Sequence, residues 1–194
     1  MTRYILVGGY PRKAQDGGRA FAEELVKGFD GEIRILECLF ARPRENWDEA
    51  YKEDTEFFTK HLPKKHLEFQ MALPERFAEQ VRWANAIYIR GGASEKILIE
   101  LQGQSEGWQK ELDGKTLAGS SAGAHAIARY YYDLDDLRVR EGLGLLEVKV
   151  LVHYRSNYNA PNIDWNKAYG ELSNHEEQLP LFALKEGEFT VKSQ

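Results

Sequence analysis

Two serines lie between glycines in Gly119-Ser120-Ser121-Ala122-Gly123, which fits the pattern G-x-S-x-G with Ser121 at its centre. In this pattern a sharp turn from a strand into a helix exposes the central serine, and the glycines let the backbone pack closely. Amide groups at the N-terminus of the following helix can stabilise an oxyanion. Ser121 is therefore a candidate nucleophile, whereas Ser120 should point elsewhere. A serine that only caps the following helix is the alternative.

A serine nucleophile needs a neighbouring base, and the sequence has five histidines from which one could come. His125 lies one helical turn beyond Ser121, but helical side chains tilt toward the N-terminus and do not bring its ring to the exposed side of the turn. His153 ends an apolar strand well after Ser121. A base supplied from a separate strand fits the logic of a catalytic triad, and a hydrogen-bonded structural histidine is the alternative.

A third group, an acid that orients the histidine, should come from a loop at the same edge of the sheet. Asp135 and Asp136 lie between Ser121 and His153 in the chain. Asp133 and Glu141 lie in the same interval and remain open as alternatives.

The composition bounds the class of protein. The 194 residues carry a net charge of −5, with 42% hydrophobic and 29% charged residues, which is typical of a globular protein of one domain over residues 1–194. The charge gives no reason to expect nucleic-acid binding, and no apolar run is long enough to cross a membrane. The N-terminus resembles a strand and not a signal peptide, so we expect a cytoplasmic protein. A single cysteine, Cys38, excludes an internal disulfide and a cysteine-based metal cluster, and no metal or organic cofactor is indicated.

Short β-rich runs alternate with helical segments along the chain, which predicts an α/β fold with a parallel sheet. The predicted strands cover residues 4–10, 32–41, 67–72, 86–92, 115–121 and 148–153. The predicted helices cover residues 17–29, 46–62, 74–84, 94–102 and 122–132. After the last strand we expect a loop at 155–164 and a hairpin over 179–194 with Glu186-Gly187 at its turn.

Active sites of parallel sheets form at the carboxyl ends of the strands. Three predicted strand ends carry residues of interest: Gly91-Gly92, Ser120-Ser121 and His153. We expect all three to face the same edge of one sheet, and the hydroxyl of Ser121 to touch the imidazole of His153.

Three segments in this order, "YIRGGASEKILIEL", "LAGSSAGAHAIA" and "GLGLLEVKVLVHY", resemble the peptidase E and cyanophycinase family of serine peptidases. The resemblance runs from "ILVGGY" to "VHY" and is most specific in G-x-S-A-G-A. It implies a three-layer sandwich with a mostly parallel, flavodoxin-like sheet, related to the class I glutamine amidotransferase fold.

The resemblance also implies roles for particular residues. Ser121 would be the nucleophile, His153 the general base, and the backbone N–H groups of Gly92 and Ala122 the oxyanion hole. The family has an Asp or Glu between its serine and histidine, and by spacing Asp135 or Asp136 is the nearest match. No cofactor is needed for this chemistry.

Known members of the family cleave after aspartyl residues, either in small peptides with N-terminal Asp or in the β-Asp–Arg links of cyanophycin. The resemblance therefore implies a peptidase E-like dipeptidase with a small peptide as substrate. An arginine near the site would pair well with an acidic side chain, and Arg155 and Arg90 are the candidates. The chain departs from the family at Arg90-Gly91-Gly92-Ala93, where a G-G-G-N run is frequent. Two other interpretations stay open: a non-catalytic binding module with a glutamine amidotransferase-like fold, and a small esterase. The sequence leaves the oligomeric state open, a homodimer included.

Overall fold

A computed structural model of the chain describes residues 1–104 and 107–194. The strands, in chain order, are β1 (Arg3–Val7), β2 (Glu32–Cys38), β3 (His66–Met71), β4 (Ala86–Ile89), β5 (Thr116–Ser120), β6 (Ala128–Asp133), β7 (Arg138–Glu141), β8 (Leu146–Leu151), β9 (Leu181–Ala183) and β10 (Phe189–Ser193). The helices are α1 (Arg19–Leu25), α2 (Trp47–His61), α3 (Phe77–Trp83), α4 (Ser94–Gln102), α5 (Ala122–Ile127) and α6 (Trp165–Asn174).

The main sheet has six strands in the order β10-β1-β5-β4-β2-β3. The pairs β1–β5, β5–β4, β4–β2 and β2–β3 are all parallel, and β10 alone runs antiparallel, against β1. The order places the carboxyl ends of β1, β5, β4 and β2 side by side along one edge. The predicted α/β fold with a mostly parallel sheet is confirmed.

Apolar side chains cover both faces of this sheet, as the near-continuous apolar strands require. On one face Ile5, Ile35 and Tyr88 pack against Phe21 of α1 and Phe58 of α2. On the other face the strand residues pack against α3, α4 and α5, and the residues of this core include Leu6, Leu36, Ile87, Val81, Ile97 and Ala124. Helices therefore sandwich the sheet in three layers, as predicted.

A second sheet, in the order β7-β6-β8-β9, was not expected from the sequence. The predicted helix 122–132 is wrong beyond Ile127, since Ala128–Asp133 is the strand β6. Distant N–H groups bind carbonyl groups at the end of the helix. Leu143 donates to Ala126 in its last turn, and Gly144 donates to Ala128, the residue that follows it. The tyrosine-rich run that follows suits a strand.

The predicted C-terminal hairpin is also wrong, although its turn is present. The N–H of Glu188 donates to the carbonyl of Lys185 at 3.1 Å, and Gly187 has a φ of 80°. The two flanking strands, however, pair with different partners: β9 lies beside β8 in the second sheet, and β10 lies beside β1 in the main sheet. This turn therefore connects the two sheets, and it brings Glu186 to their junction.

Candidate active site

Ser121 lies on the sharp turn between β5 and α5. Its backbone has φ 52° and ψ −113°, a conformation that L-residues rarely adopt. The flanking glycines are required by close packing, because a Cβ at Gly119 would lie 2.2 Å from the carbonyl oxygen of Gly123. A Cβ at Gly123 would likewise lie 2.2 Å from the carbonyl oxygen of Ile89. The turn has the strained geometry that exposes a side chain at a helix N-terminus.

The structure brings Ser121 and His153 together. Ser121 Oγ lies 2.9 Å from His153 Nε2, and the other ring nitrogen, Nδ1, lies 3.0 Å from Glu186 Oε1. His153 follows β8 of the second sheet, so the expectation that its strand belongs to the main sheet is wrong. The backbone N–H of His153 donates to the carbonyl of Gly8 at 2.7 Å, just beyond β1. This bond joins the two sheets at the edge where Ser121 lies.

The expected contact of His153 with Asp135 or Asp136 is not formed, and this prediction is corrected. Both residues are exposed and lie in a loop in which their backbone N–H groups donate to Asp133 Oδ1, at 3.0 and 3.3 Å. The carboxylate of Asp136 pairs with Arg140 on the adjacent strand β7, which holds it away from His153.

The other two alternatives are engaged elsewhere as well. Asp133 pairs with Arg140, and Glu141 is exposed at the end of β7. The acid that reaches the histidine is Glu186, which follows His153 in the chain and does not precede it.

Electrostatics favour a neutral histidine beside an ionised acid. Burial lowers the pKa of His153 below its ordinary value, and the hydrogen bond with Glu186 partly opposes this effect. Partial burial acts to raise the pKa of Glu186, but hydrogen bonds with Lys13 and His153 outweigh it and the pKa falls. A neutral imidazole with Nδ1–H donated to Glu186 leaves Nε2 free to accept the proton of Ser121.

Two tyrosines fix the plane of the His153 ring. Tyr158 stacks on it with centroids 4.3 Å apart and an interplanar angle of 13°. Tyr10 meets it edge-on at 5.5 Å. The ring thus has little freedom to rotate away from Ser121.

The residues predicted to form the oxyanion hole lie beside Ser121. Gly91 and Gly92 follow β4, and a Cβ at Gly91 would lie 3.0 Å from the Cβ of Ser121. Next in the chain, the N–H of Ala93 donates to the carbonyl of Ala41 at 2.9 Å and anchors this loop. Ala122 is the first residue of α5, where an N–H group has no acceptor within the helix. In the described turns and loops the N–H groups of Gly92 and Ala122 donate to no backbone carbonyl.

A pocket of about 230 Å³ opens in front of Ser121. It is lined by Tyr10, Pro11, Arg12, Lys13, Arg42, Asp54, Tyr88, Arg90, Gly91, Gly92, Ser120, Ser121, His153 and Tyr158. Four of these residues are cations and one is a buried carboxylate. We call this cavity the nucleophile pocket.

Arg90, one of the two arginines predicted to bind substrate, lines the nucleophile pocket but is bound within the protein. Its guanidinium donates to the carbonyl of Ala50 at 2.7 Å and forms ion pairs with Glu53 and with Asp54, the latter at 3.2 Å. Arg12 donates to the other oxygen of Asp54 at 3.0 Å. The charge of Arg90 thus ties α2 to the end of β4.

Arg155, the other predicted arginine, does not line the nucleophile pocket. It is exposed, and its guanidinium lies 5.1 Å from the ring centroid of Tyr154. Arg42 lines the nucleophile pocket and was not predicted from the sequence. Arg42 forms no ion pair within the described part of the chain, and its buried Nε has no hydrogen-bond partner there. The missed signal was the strand-end position of Arg42, just after β2 at the carboxyl edge of the sheet.

A second serine–histidine pair involves α5, the helix that follows Ser121. Ser94 Oγ, at the start of α4, lies 2.8 Å from His125 Nδ1 on α5. The ring of His125 stacks on Tyr131 at 4.1 Å, and its Nε2 has no partner among the described residues. Burial, together with the nearby His153, lowers the pKa of His125 to about 3. His125 does not line the nucleophile pocket.

Within residues 1–104 and 107–194, no helix is both long and apolar enough to span a lipid bilayer. Within the same residues, no group of three or more His, Cys, Asp or Glu side chains is arranged to hold a metal ion.

Comparison with known proteins places this geometry in context. The model of peptidase family S51 matches residues 41–192. The crystal structure of a peptidase from an acI-B1 actinobacterium is similar, with 25% sequence identity and a TM-score of 0.65 over 99% of this chain and 83% of that one. A Listeria monocytogenes EGD-e protein, provisionally described as a peptidase E, has 18% identity and a TM-score of 0.65 over 100% and 99% of the two chains. No curated protein matches the sequence.

Proposed function

This chain belongs to peptidase family S51, and from that membership we propose that it is a serine peptidase that hydrolyses small peptides after an acidic residue. The observation that carries the proposal is the chain of contacts from Ser121 through His153 to Glu186. In this proposal Ser121 is the nucleophile, His153 the general base and Glu186 the acid that orients it. Glu186 replaces Asp135 and Asp136 in that role.

The reaction begins when the Ser121 hydroxyl attacks the scissile carbonyl and gives its proton to His153 Nε2. The lowered pKa of His153 keeps the ring neutral and able to act as a base near neutral pH. Glu186 holds the tautomer with Nδ1–H and stabilises the imidazolium that forms. The N–H groups of Gly92 and Ala122 receive the negative charge that develops on the carbonyl oxygen.

The tetrahedral intermediate then breaks down. His153 returns its proton to the leaving amine, the C–N bond breaks, and the acyl group remains on Ser121 Oγ. Water enters, loses a proton to His153 and attacks the ester. His153 gives that proton back to Ser121 as the acid product leaves. All proton transfers use chemical groups of the chain and the substrate, with water as the second reactant.

The order of strands supports a preference for an acidic acyl residue. Along the edge of the sheet His153 lies at β1, Ser121 at β5, Gly91 at β4 and Arg42 beyond β2. Because His153 must protonate the leaving group, the acyl part of the substrate extends the other way, toward Arg42. Among the cations that line the nucleophile pocket, Arg42 forms no ion pair with a carboxylate of the described residues, so it suits the side chain of an aspartyl residue.

A fluorophosphonate probe tests the nucleophile. We expect intact mass spectrometry to show one adduct on the wild type and on Ser120→Ala, but none on Ser121→Ala. Ser120 is the matched control because it adjoins Ser121 and is buried beside Tyr88. Folded wild-type protein that takes no label would instead favour a non-catalytic binding module.

A substrate panel then tests the class of hydrolase. We expect cleavage of Asp-X dipeptides to exceed cleavage of the matching Asn-X dipeptides and of short-chain esters. Arg42→Gln should reduce this preference for Asp over Asn, since the neutral amide cannot pair with a carboxylate. Faster cleavage of esters than of any peptide would make the protein an esterase.

A further inference from the structure

A second cavity adjoins His153 on the side away from Arg42. It has a volume of about 420 Å³ and is lined by Tyr10, Lys13, Ser156, Asn157, Tyr158 and Glu186. Tyr10, Lys13 and Tyr158 also line the nucleophile pocket, so the two cavities meet beside the His153 ring.

The chemistry of the proposed peptidase assigns a use to this second cavity. The proton that His153 Nε2 gives up goes to the nitrogen of the leaving group. The leaving residue must therefore lie next to His153 and on the side opposite to the acyl residue. The second cavity begins at that position.

Lys13 is the cation among the described residues that line this cavity. Its ammonium group donates to Glu186 Oε2 and lies 4.3 Å from the ring centroid of Tyr10. An ammonium group has three donors. Among the described residues, Glu186 alone accepts a hydrogen bond from Lys13. The side chain is also 58% exposed, so a ligand can reach it from the cavity.

The acids near the cavity limit where a carboxylate could bind. Glu186 is one of its lining residues, and Asp135 interacts with Tyr158. Both would repel an anion, so a carboxylate would bind the exposed donors of Lys13 that do not point at Glu186. The hydroxyl of Ser156 and the amide of Asn157 add neutral polar groups to the lining.

We propose that the second cavity is the leaving-group subsite, and that Lys13 binds the free α-carboxylate of the leaving amino acid. This inference rests on the proposed peptidase function and deepens it. The enzyme would then favour substrates in which one residue follows the cleaved bond and would disfavour longer or C-terminally blocked peptides.

The test compares Asp-Leu with Asp-leucinamide, which differ only in the charge of the terminal group. For the wild type we expect kcat/KM to be at least about tenfold higher for the free acid, a difference of about 1.4 kcal/mol. In Lys13→Met the ratio should fall toward one, whereas in Lys13→Arg most of it should remain. The ratio is informative because any effect of Lys13 on Glu186 acts on both substrates alike.

The subsite would be disproved if the wild-type ratio of kcat/KM for Asp-Leu over Asp-leucinamide were near one, or if Lys13→Met left that ratio unchanged. Neither result would contradict the proposed function. A second measurement does not depend on turnover: millimolar leucine, but not leucinamide, should slow fluorophosphonate labelling of the wild type, and Lys13→Met should lose this protection. Equal protection by the two compounds would also overturn the subsite. Failure of the proposed function is distinct, because the folded wild type would then take no label at all.

Discussion

This molecule contains two serine–histidine pairs, each with a buried histidine, and the two pairs differ in the chemistry that they can do. Ser121 and His153 are 2.9 Å apart, and Ser94 and His125 are 2.8 Å apart. The two histidines are equally buried, at 3% and 4% exposed, and each stacks on a tyrosine. Neither burial nor the serine contact separates a candidate catalytic pair from a structural one.

The difference lies in the second ring nitrogen and in the access to a cavity. His153 has an ionised acid on Nδ1 and presents Nε2 to a serine that lines the nucleophile pocket. His125 has no acid partner among the described residues, and its pKa is lowered to about 3, so the ring is neutral near neutral pH. Its bond to Ser94 instead ties α4 to α5, behind the loop that contains Gly92.

The largest expected effect separates the two serines. Ser121→Ala should lower kcat/KM on the order of 10⁴-fold or more, because the nucleophile is lost. Ser94→Ala should keep activity within about tenfold, since it removes only a tie between two helices. Steady-state kinetics on Asp-Leu measure both, and circular dichroism checks the fold. If the two variants lost kcat/KM to a similar extent, Ser94 would take part in the reaction, and the two pairs would not differ in the way described above.

The second-largest expected effect concerns Glu186, the acid that contacts His153 and that His125 lacks. Glu186→Gln should lower kcat by about 10³-fold to 10⁴-fold, because the amide no longer stabilises the imidazolium. In the wild type kcat/KM falls as the pH drops through the pKa of His153, which lies below its ordinary 6.5. The bond to Glu186 raises that pKa, so in Glu186→Gln the acidic limb should move to lower pH.

Glu188→Gln is the matched control for this change, because Glu188 is an exposed acid two residues away that accepts a bond from the N–H of Lys185. It should alter neither kcat nor the pH profile. If the acidic limb of the kcat/KM profile has the same midpoint in Glu186→Gln as in the wild type, then Glu186 does not act on the His153 ring.

The smallest effect concerns His125 and appears in stability. A neutral buried histidine with a pKa of about 3 binds fewer protons than the unfolded chain between pH 6.5 and 3. Its contribution to stability is therefore complete above pH 6.5 and is lost as the pH falls, by up to about 2 kcal/mol between pH 7 and pH 5. His125→Gln should reduce this loss, as measured by urea unfolding at several pH values.

His66→Gln, at an exposed position on β3, serves as the control and should follow the wild-type curve. If the free energy of unfolding of His125→Gln falls with pH in parallel with the wild type, then His125 already carries a proton in the folded protein.

Much of the fold was predictable because its signals are local. The apolar strands, the glycines of the turn at Ser121 and the carboxyl-edge rule predict the parallel sheet and place Ser121 on its edge. The link between Ser121 and His153 was predictable from the position of His153 at a strand end, even though β8 belongs to the second sheet. In each case the pattern lies within a few residues of the feature that it predicts.

The missed features depend on contacts between distant segments. The helix α5 stops at Ile127 because N–H groups of Leu143 and Gly144 bind carbonyl groups at its end, and no local pattern contains that information. Glu186 was recognised only as a turn residue, since the choice of an acid depends on which turn reaches the junction of the two sheets. Spacing favoured Asp135 and Asp136, but local bonds hold that loop apart from His153.

The strained backbone at the site sets a conflict for protein engineering. Ser121 and His153 both have φ near +50°, where glycine is at ease and a side chain is not. Directed evolution that selects for thermal resistance alone would therefore favour glycine at Ser121, whose side chain is small, and erase turnover in the same step. At His153 the loss of the buried, stacked ring would outweigh the relief of backbone strain. A stabilised form of this enzyme has to be sought elsewhere in the chain, with Ser121 and His153 left as they are.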